Sequence, residues 1–423
     1  MDNGLHSTKD QKPTEEPSGA DFFREPESNS PDSSAVELIP TFDQLGVKDD
    51  ILRSIYAYGY EEPSPIQQRA IKPIIGGRDL IAQAQSGTGK TATFSIGVLE
   101  RLDMDLRKVQ AVILSPTREL AAQTVQVVEA LGTHLGAVVH GCIGGADRPV
   151  SRDVRLLQQG GVKVVVGTPG RILDIFKRRA VDPATIKLLV IDEADEMLAF
   201  NFRDQIREIL VGLPATTQIC MFSATLSEDA LDLAQHFMSE PLHILLKKEK
   251  LTLDGIKQFY VAVDQPRGGD DCKLEVLFDL YAVMSISQCI IFCNSKRKCE
   301  YLYEQMTAQD FTCSRLHGDM SSEERHAIMR EFRTGSSRLL ISTDLVARGI
   351  DVQTVSLVIN YELPLVRANY LHRIGRSGRC GRKGMAISLI TPRDVDSMRD
   401  IEGYYHTEVR ALPSNPADLV TCY

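Results

Sequence analysis

The stretch Leu188-Leu189-Val190-Ile191-Asp192-Glu193-Ala194-Asp195 decides the fold. Its apolar residues run without alternation, which suits a strand covered on both faces rather than one half in water. Three carboxylates stand where that strand would end. In open α/β sheets ligands gather beyond the carboxyl ends of the strands, so these acids mark a site. A second stretch upstream shares the plan. The apolar run 79–82 leads into Ala84-Gln85-Ser86-Gly87-Thr88-Gly89-Lys90-Thr91, a phosphate-loop signature with Ala84 where the general pattern has glycine.

The same unit of apolar run, polar turn and helical period recurs outward from these two. Runs at 111–114, 162–166 and 219–222 complete one series, and runs at 289–292, 314–316, 339–341, 357–359 and 386–390 form another. The expectation is an α/β chain of two doubly wound parallel-sheet domains joined by a short flexible linker. Residues 1–40 read as a disordered acidic tail, 41–246 as the first domain, 247–255 as the linker and 256–423 as the second domain. Polar clusters fall after the expected strands, at 115–119, 167–171, 223–225, 294–297, 317–319 and 343–351.

Composition narrows the class. Hydrophobic residues make up 43% and charged residues 25%, as in a water-soluble globular protein. No run of about 18 apolar residues suits a membrane span, and Met1-Asp2-Asn3-Gly4 opens no secretory signal. The 9 cysteines are scattered; Cys289, Cys293 and Cys299 lie close together but lack metal-ligand spacing, and read as buried thiols of a reducing compartment, cytosol or nucleus. Of the net charge of −9, residues 1–40 carry nine acids against three bases, a net of −6, which leaves −3 for the rest. A near-neutral body excludes binding through a broad positive field; it leaves local clusters that neutralise a few phosphates.

The motifs carry specific chemistry. Gly87 and Gly89 allow the tight turn that points N–H groups at phosphates, and a helix opening near Lys90 adds its positive end. Lys90 would reach the β and γ phosphates and Thr91 would bind Mg²⁺. Asp192 would hold the same metal ion, and Glu193 would orient or deprotonate the attacking water. Asp195 can also be read as an ordinary helix N-terminal acid. In the second half, His372-Arg373-Ile374-Gly375-Arg376-Ser377-Gly378-Arg379 is dense in guanidinium groups with no acid among them, a pattern suited to phosphates. Arg376 and Arg379 read as fingers supplied in cis to stabilise charge on the transferred phosphoryl group.

These motifs, in this order from about Phe42 to the C-terminus, resemble the DEAD-box RNA helicases of helicase superfamily two. Tyr56-Ala57-Tyr58-Gly59, Ile66-Gln67-Gln68-Arg69-Ala70-Ile71 and Leu251-Thr252-Leu253 are most similar to the eukaryotic translation initiation factor 4A group, nuclear relatives included. The resemblance implies two RecA-like domains and adds roles. Gln67 would read the adenine edge, Tyr60 would stack on the base with Phe42 packed nearby, and Asp351 would bind the ribose. With Ser86, Gly87, Thr88, Gly89, Lys90 and Thr91 these residues would form the ATP site. Ser223 and Thr225 would hydrogen-bond toward Asp195 and couple hydrolysis to domain contact. RNA contacts would come from Pro116, Thr117, Arg118, Gly144, Gly145, Thr168, Gly170 and Arg171 in the first half. Those of the second half would be Asn294, Arg315, Gly318, Thr343 and Asp344. Such groups suit sugar–phosphate backbone, and the low aromatic content of 6% with no Trp points to sequence-independent binding. The pattern departs from the family at Ser322, which replaces a glutamine while Arg325 is kept, and at 265–271, which reads as an inserted loop.

The expected activity is RNA-stimulated ATP hydrolysis coupled to domain closure, local non-processive duplex unwinding and remodelling of RNA–protein complexes in translation initiation. The alternative is an ATP-dependent RNA clamp in a nuclear particle. Expected partners are Mg²⁺, single-stranded or short-duplex RNA, and protein regulators bridging the two domains of a cytoplasmic or nuclear monomer.

Overall fold

A computed structural model describes residues 23–24, 37–84, 87–145, 148–198, 202–226, 228–246, 256–264, 271–284, 286–344, 355–377 and 384–413. Two sheets organise them. The first contains β1 (Phe23–Arg24), β2 (Leu80–Gln83), β3 (Ala111–Leu114), β4 (Val139–Cys142), β5 (Val164–Gly167), β6 (Leu188–Asp192), β7 (Gln218–Ser223) and β8 (Leu242–Leu246). Their order is β1-β8-β2-β7-β6-β3-β5-β4, parallel throughout except for β1, which runs antiparallel to β8. The second sheet contains β9 (Ile256–Ala262), β10 (Cys289–Phe292), β11 (Cys313–Leu316), β12 (Leu339–Ser342), β13 (Leu357–Asn360), β14 (Gly384–Ile390) and β15 (Arg410–Ala411). It is wholly parallel, in the order β11-β12-β10-β13-β14-β9-β15. The chain thus has two RecA-like doubly wound domains.

Each sheet is covered on both faces, which explains the unbroken apolar runs. Ile113, Val190 and Phe222 pack into one core layer, whereas Val112, Ile191 and Met221, next along the same strands, pack into the layer on the opposite face. The second sheet divides likewise: Ile291 and Ile359 face one side, Ile290 and Val358 the other. Each fully buried Ile or Leu contributes about 1.5–3 kcal/mol, so these strands are fixed by both layers at once.

Of the five strands beyond the expected series, four belong to the sheets' less covered parts. β4, with His140 and Gly141 half-buried, lies on one edge. β9 is buried only intermittently, and β8 and β15 lie in the outer part of their sheets. Their mixed polarity follows from that position. β1 lies inside the segment read as a disordered tail, and Ile39, assigned to that tail, is buried in the first domain with its N–H donating to Gln68 O. The segments 247–255 and 265–270 lie outside the described residues.

Candidate active site

The register of the first sheet sets the catalytic candidates. Ile191 pairs with Leu114 of β3, while Asp192 projects one residue farther and pairs only with Phe222 of β7. Asp192 is buried and accepts the N–H of Glu193 at 3.0 Å. Burial, reinforced by the Glu193 charge, pushes its carboxyl up to about 7. Glu193 has φ +50°, a strained left-handed conformation for a residue with a side chain. That bend turns its carboxylate toward Lys90, whose Nζ lies 3.4 Å from both carboxylate oxygens. Both side chains are almost fully buried.

Lys90 opens the helix Lys90–Glu100 directly after Gly89, whose φ is +95°. A Cβ at Gly89 would lie 2.7 Å from Nε2 of Gln67 and would press on that side chain, and the positive φ itself favours glycine. Gln67 itself sits in the first turn of the helix Pro65–Ile75, where its Oε1 accepts the N–H of Ser64 at 2.7 Å. Its amide therefore touches the phosphate loop as well as capping a helix. Phe42 is fully buried, edge-on to Tyr56 and tilted against Tyr60, and Tyr60 stacks on Tyr58 with ring centroids 5.1 Å apart. Thr91 is half-buried on the first turn of its helix. Gln85, Ser86, Asp351 and Arg379 lie outside the described residues.

Asp195 joins the two domains. Its Oδ2 accepts the Thr225 hydroxyl at 2.5 Å and faces His372 Nε2 of the second domain at 3.2 Å, a pair 177 residues apart in sequence. Ser223 Oγ accepts the N–H groups of Asp195 and Thr225. Arg376 is buried one turn beyond His372, its Nε donating to the His372 carbonyl at 3.1 Å. A second contact between the domains pairs Arg325 with Glu119 at 3.0 Å, both side chains 7% exposed.

The expected RNA contacts fall on neighbouring strand ends. Pro116, Thr117 and Arg118 follow β3; Gly144 and Gly145 follow β4; Thr168, Gly170 and Arg171 follow β5; and the sheet order places these strands side by side. Thr117 caps the helix Arg118–Leu131 by accepting Leu120 N–H, and Thr168 precedes the helix Pro169–Lys177. Two helix N-termini and the glycine turn thus share one end of the sheet, a natural anion-binding arrangement. Arg118 and Arg171 lie against Gly144, where a Cβ would come within 3.2 Å of Arg171 Nη2. Arg171 is held by the Arg148 carbonyl at 2.7 Å and by Asp153 at 3.4 Å, and Asp153 is in turn bound to His140 at 3.1 Å.

On the second domain, Asn294, Arg315, Gly318, Thr343 and Asp344 surround the ends of β10, β11 and β12. Gly318 faces open space, and Thr343 N–H donates to the Leu316 carbonyl at 3.4 Å. Arg315 is already engaged, 2.7 Å from Glu300 and over the Tyr303 ring. The guanidinium-rich run requires a correction. Arg373 does not face phosphate: it is fully buried and binds Asp344 through Nε, the Glu362 carbonyl through Nη1 at 2.7 Å and Asn294 Oδ1 through Nη2 at 2.8 Å. The acid is absent from the run in sequence but present in space. Asn294 and Asp344 consequently also serve to hold Arg373.

Asp153 carried no expected role, whereas His372 and Arg373 were read only within the guanidinium-rich run and Glu119 only within the polar cluster 115–119. For His372 and Arg373 the motif itself was a signal; for Asp153 there was none, because its partners come from β4 and from the helix after β5. The oxygen donors Thr91, Asp192 and Glu193 fit a hard cation such as Mg²⁺. The cluster Glu193, Asp195 and His372 also brings ligand atoms within 4.8 Å of one another, but its imidazole suits Mg²⁺ poorly. Among the described residues no helix is long and apolar enough to cross a membrane.

Comparison with known proteins identifies the family. A DEAD/DEAH box helicase model matches residues 64–233, and a helicase conserved C-terminal domain model matches 272–381. The chain is 55% identical over 384 residues to the ATP-dependent RNA helicase eIF4A of Schizosaccharomyces pombe, covering 91% of this chain and 96% of the relative. It is 54% identical over 388 residues to eukaryotic initiation factor 4A-III homolog A of Oryza sativa, with coverages of 92% and 94%. Among solved structures, S. cerevisiae Dbp5 bound to RNA and ADP BeF3 superposes with a TM-score of 0.80 at 35% identity, covering 88% of this chain and 95% of Dbp5.

Proposed function

Because the chain belongs to the DEAD/DEAH box helicases, and is an RNA helicase that hydrolyses ATP, we propose that its hydrolysis is gated by RNA through closure of the two domains. The observation that carries this reading is the divided site. Lys90, Asp192 and Glu193 lie on the first domain, and the Asp195–His372 contact brings Arg376 of the second domain toward them. In the structure Lys90 is paired with Glu193. ATP phosphates would compete for that ammonium and release the Glu193 carboxylate to orient or deprotonate water. Thr91 and Asp192 would hold Mg²⁺, which supplies charge to offset the phosphates. Gln67 and Tyr60 would recognise adenine, and Arg376 with Arg379 would stabilise the transferred group.

The strand ends of β3, β5 and β4 on one domain and of β11, β12 and β10 on the other offer amides, hydroxyls and few arginines. That supply supports backbone binding without base reading. RNA spanning both domains would favour the closed state, so RNA and ATP bind with positive coupling. A site built for one strand's backbone would separate a few base pairs locally on closing. The test is ATP turnover with and without single-stranded RNA. RNA raises the rate if the domains gate the site; equal rates sink the coupling.

A translation-initiation role accords with the words initiation factor in a relative's name; the same reading takes the protein as a cytoplasmic monomer with regulators bridging its domains. A second reading is supported by the buried Glu119–Arg325 and Asp195–His372 pairs, which would slow reopening and suit a long-lived RNA clamp. RNA release measured with a non-hydrolysable ATP analogue separates the two: slow release favours the clamp.

A further inference from the structure

β4 ends the order of the first sheet, paired with β5. Residues two apart on a strand face the same way, so His140 and Cys142 share one face of β4. Val139 packs into one core layer, whereas Cys142 packs into the opposite layer together with Leu157 of the helix Val150–Gln158. Asp153, in the first turn of that helix, completes a group of three. None of them takes part in the proposed hydrolysis.

The three ligand atoms converge. An imidazole nitrogen of His140, the sulfur of Cys142 and a carboxylate oxygen of Asp153 all lie within 4.8 Å of one another. His140 Nε2 is 3.1 Å from Asp153 Oδ1. Tetrahedral zinc, with bonds of about 2.0–2.3 Å, spaces such ligands by about 3.3–3.6 Å. The nitrogen–oxygen edge is therefore close to its final length, and the sulfur has about an ångström at most to travel. The other carboxylate oxygen, Asp153 Oδ2, is buried and makes no hydrogen bond; Arg171 Nη1 stands 3.4 Å from it. Ligating carboxylates are commonly held from outside by such a group. Cys142 is fully buried and Asp153 nearly so, while the His140 side chain, 20% exposed, gives an ion its way in.

The donor set selects the ion. Sulfur, nitrogen and oxygen together suit zinc, whereas Mg²⁺ takes oxygen. Coordination sends the Cys142 proton to solvent. Burial opposes this by pushing the thiol up, so only an ion with strong affinity for thiolate meets the cost.

We propose that His140, Cys142 and Asp153 form a zinc site that ties the edge strand β4 to the helix Val150–Gln158, with Arg171 holding the second oxygen of the ligating carboxylate. Three protein ligands leave the fourth position to water. The ion links two elements that lie beside the Gly144–Gly145 turn, and it fixes the carboxylate against which Arg171 rests.

The full chain, stripped with a chelator and kept reduced, is titrated with zinc against a chromophoric chelator, and separately with Co²⁺, whose bond to thiolate absorbs in the near ultraviolet. The expected result is one zinc per chain, a raised unfolding temperature and the thiolate–cobalt band. Cys142→Ala loses the band and binds zinc about 10²-fold more weakly, the upper end of what even an outer partner contributes. His140→Gln leaves the buried sulfur in place and weakens zinc to a similar extent, so the result does not hang on one core variant. Arg171→Gln keeps the band and weakens zinc by about 10-fold. Cys293→Ala, a buried cysteine outside the group, changes neither band nor affinity. Failure of the wild-type chain to hold zinc overturns the proposal, and His140 and Asp153 are then a plain hydrogen-bonded pair. Equal zinc affinity in the wild type, Cys142→Ala and His140→Gln, or cobalt bound without the thiolate band, overturns it as well.

Discussion

At the scale of single residues, Lys90 and Glu193 hold each other in place until a phosphate intervenes. Lys90→Ala removes the cation that ATP phosphates would meet, and equilibrium binding of a fluorescent ATP analogue is expected to fall below detection. Glu193→Gln keeps the shape but cannot accept a proton. Nucleotide binding persists and turnover drops by about 10²–10⁴; retained turnover removes Glu193 from its role. Asp192 gives a pH signature. Its carboxyl is pushed up to about 7 by burial and by Glu193, so it is protonated below that pH and ionised above it. A proton then competes with the metal ion. The KM for Mg–ATP should rise as pH falls through about 7, and Asp192→Asn, inactive or nearly so, should bind Mg–ATP weakly with no such slope. Asp192 and Lys90 stand out in the sequence because each belongs to a motif of fixed spacing. Asp153, which fixes Arg171, does not: nothing local marks an acid whose partners arrive from β4 and from the helix after β5.

At the scale of elements, most strands were legible because they are covered on both faces and therefore apolar throughout. Those missed sit where the sheets thin out, and their mixed residues give no period to read. The helix Ser322–Arg333 shows how an element serves the site. Ser321 caps it by accepting Glu324 N–H at 3.2 Å, and Glu324 reaches back to Ser321 N–H at 2.9 Å, a reciprocal pair that fixes the first turn. Arg325 follows at once, so the cap sets the position from which it reaches Glu119. Ser321→Ala is expected to lower stability by about 0.5–2 kcal/mol, read from the urea midpoint. RNA affinity should fall with it if the first turn aims Arg325; unaltered affinity would leave the cap a purely local device.

For the whole molecule, the two charge pairs described between the domains are buried, so their charges matter most. Arg325→Met leaves the Glu119 carboxyl buried without its cationic partner. Breaking a buried pair this way costs about 3–5 kcal/mol. RNA affinity in the presence of a non-hydrolysable ATP analogue should therefore drop by a factor of 10² or more, while ATP binding without RNA barely changes. Adding Glu119→Gln should recover much of the loss, since no unpaired charge remains. Purely additive losses would show that the two residues act apart.

Two apolar-run series, one phosphate loop and one carboxylate pair sufficed in the linear chain to specify two doubly wound domains and a nucleotide site on the first. Those features are local: coverage on both faces dictates unbroken apolar strands, and phosphate chemistry dictates glycine, lysine and acid at short spacing. Which arginines face acids, which acids hold arginines, and how Asp195 meets His372 were decided only by the tertiary structure. Such pairings depend on strand order and on the meeting of two domains, and Coulombic partners in a folded core carry no trace in sequence separation.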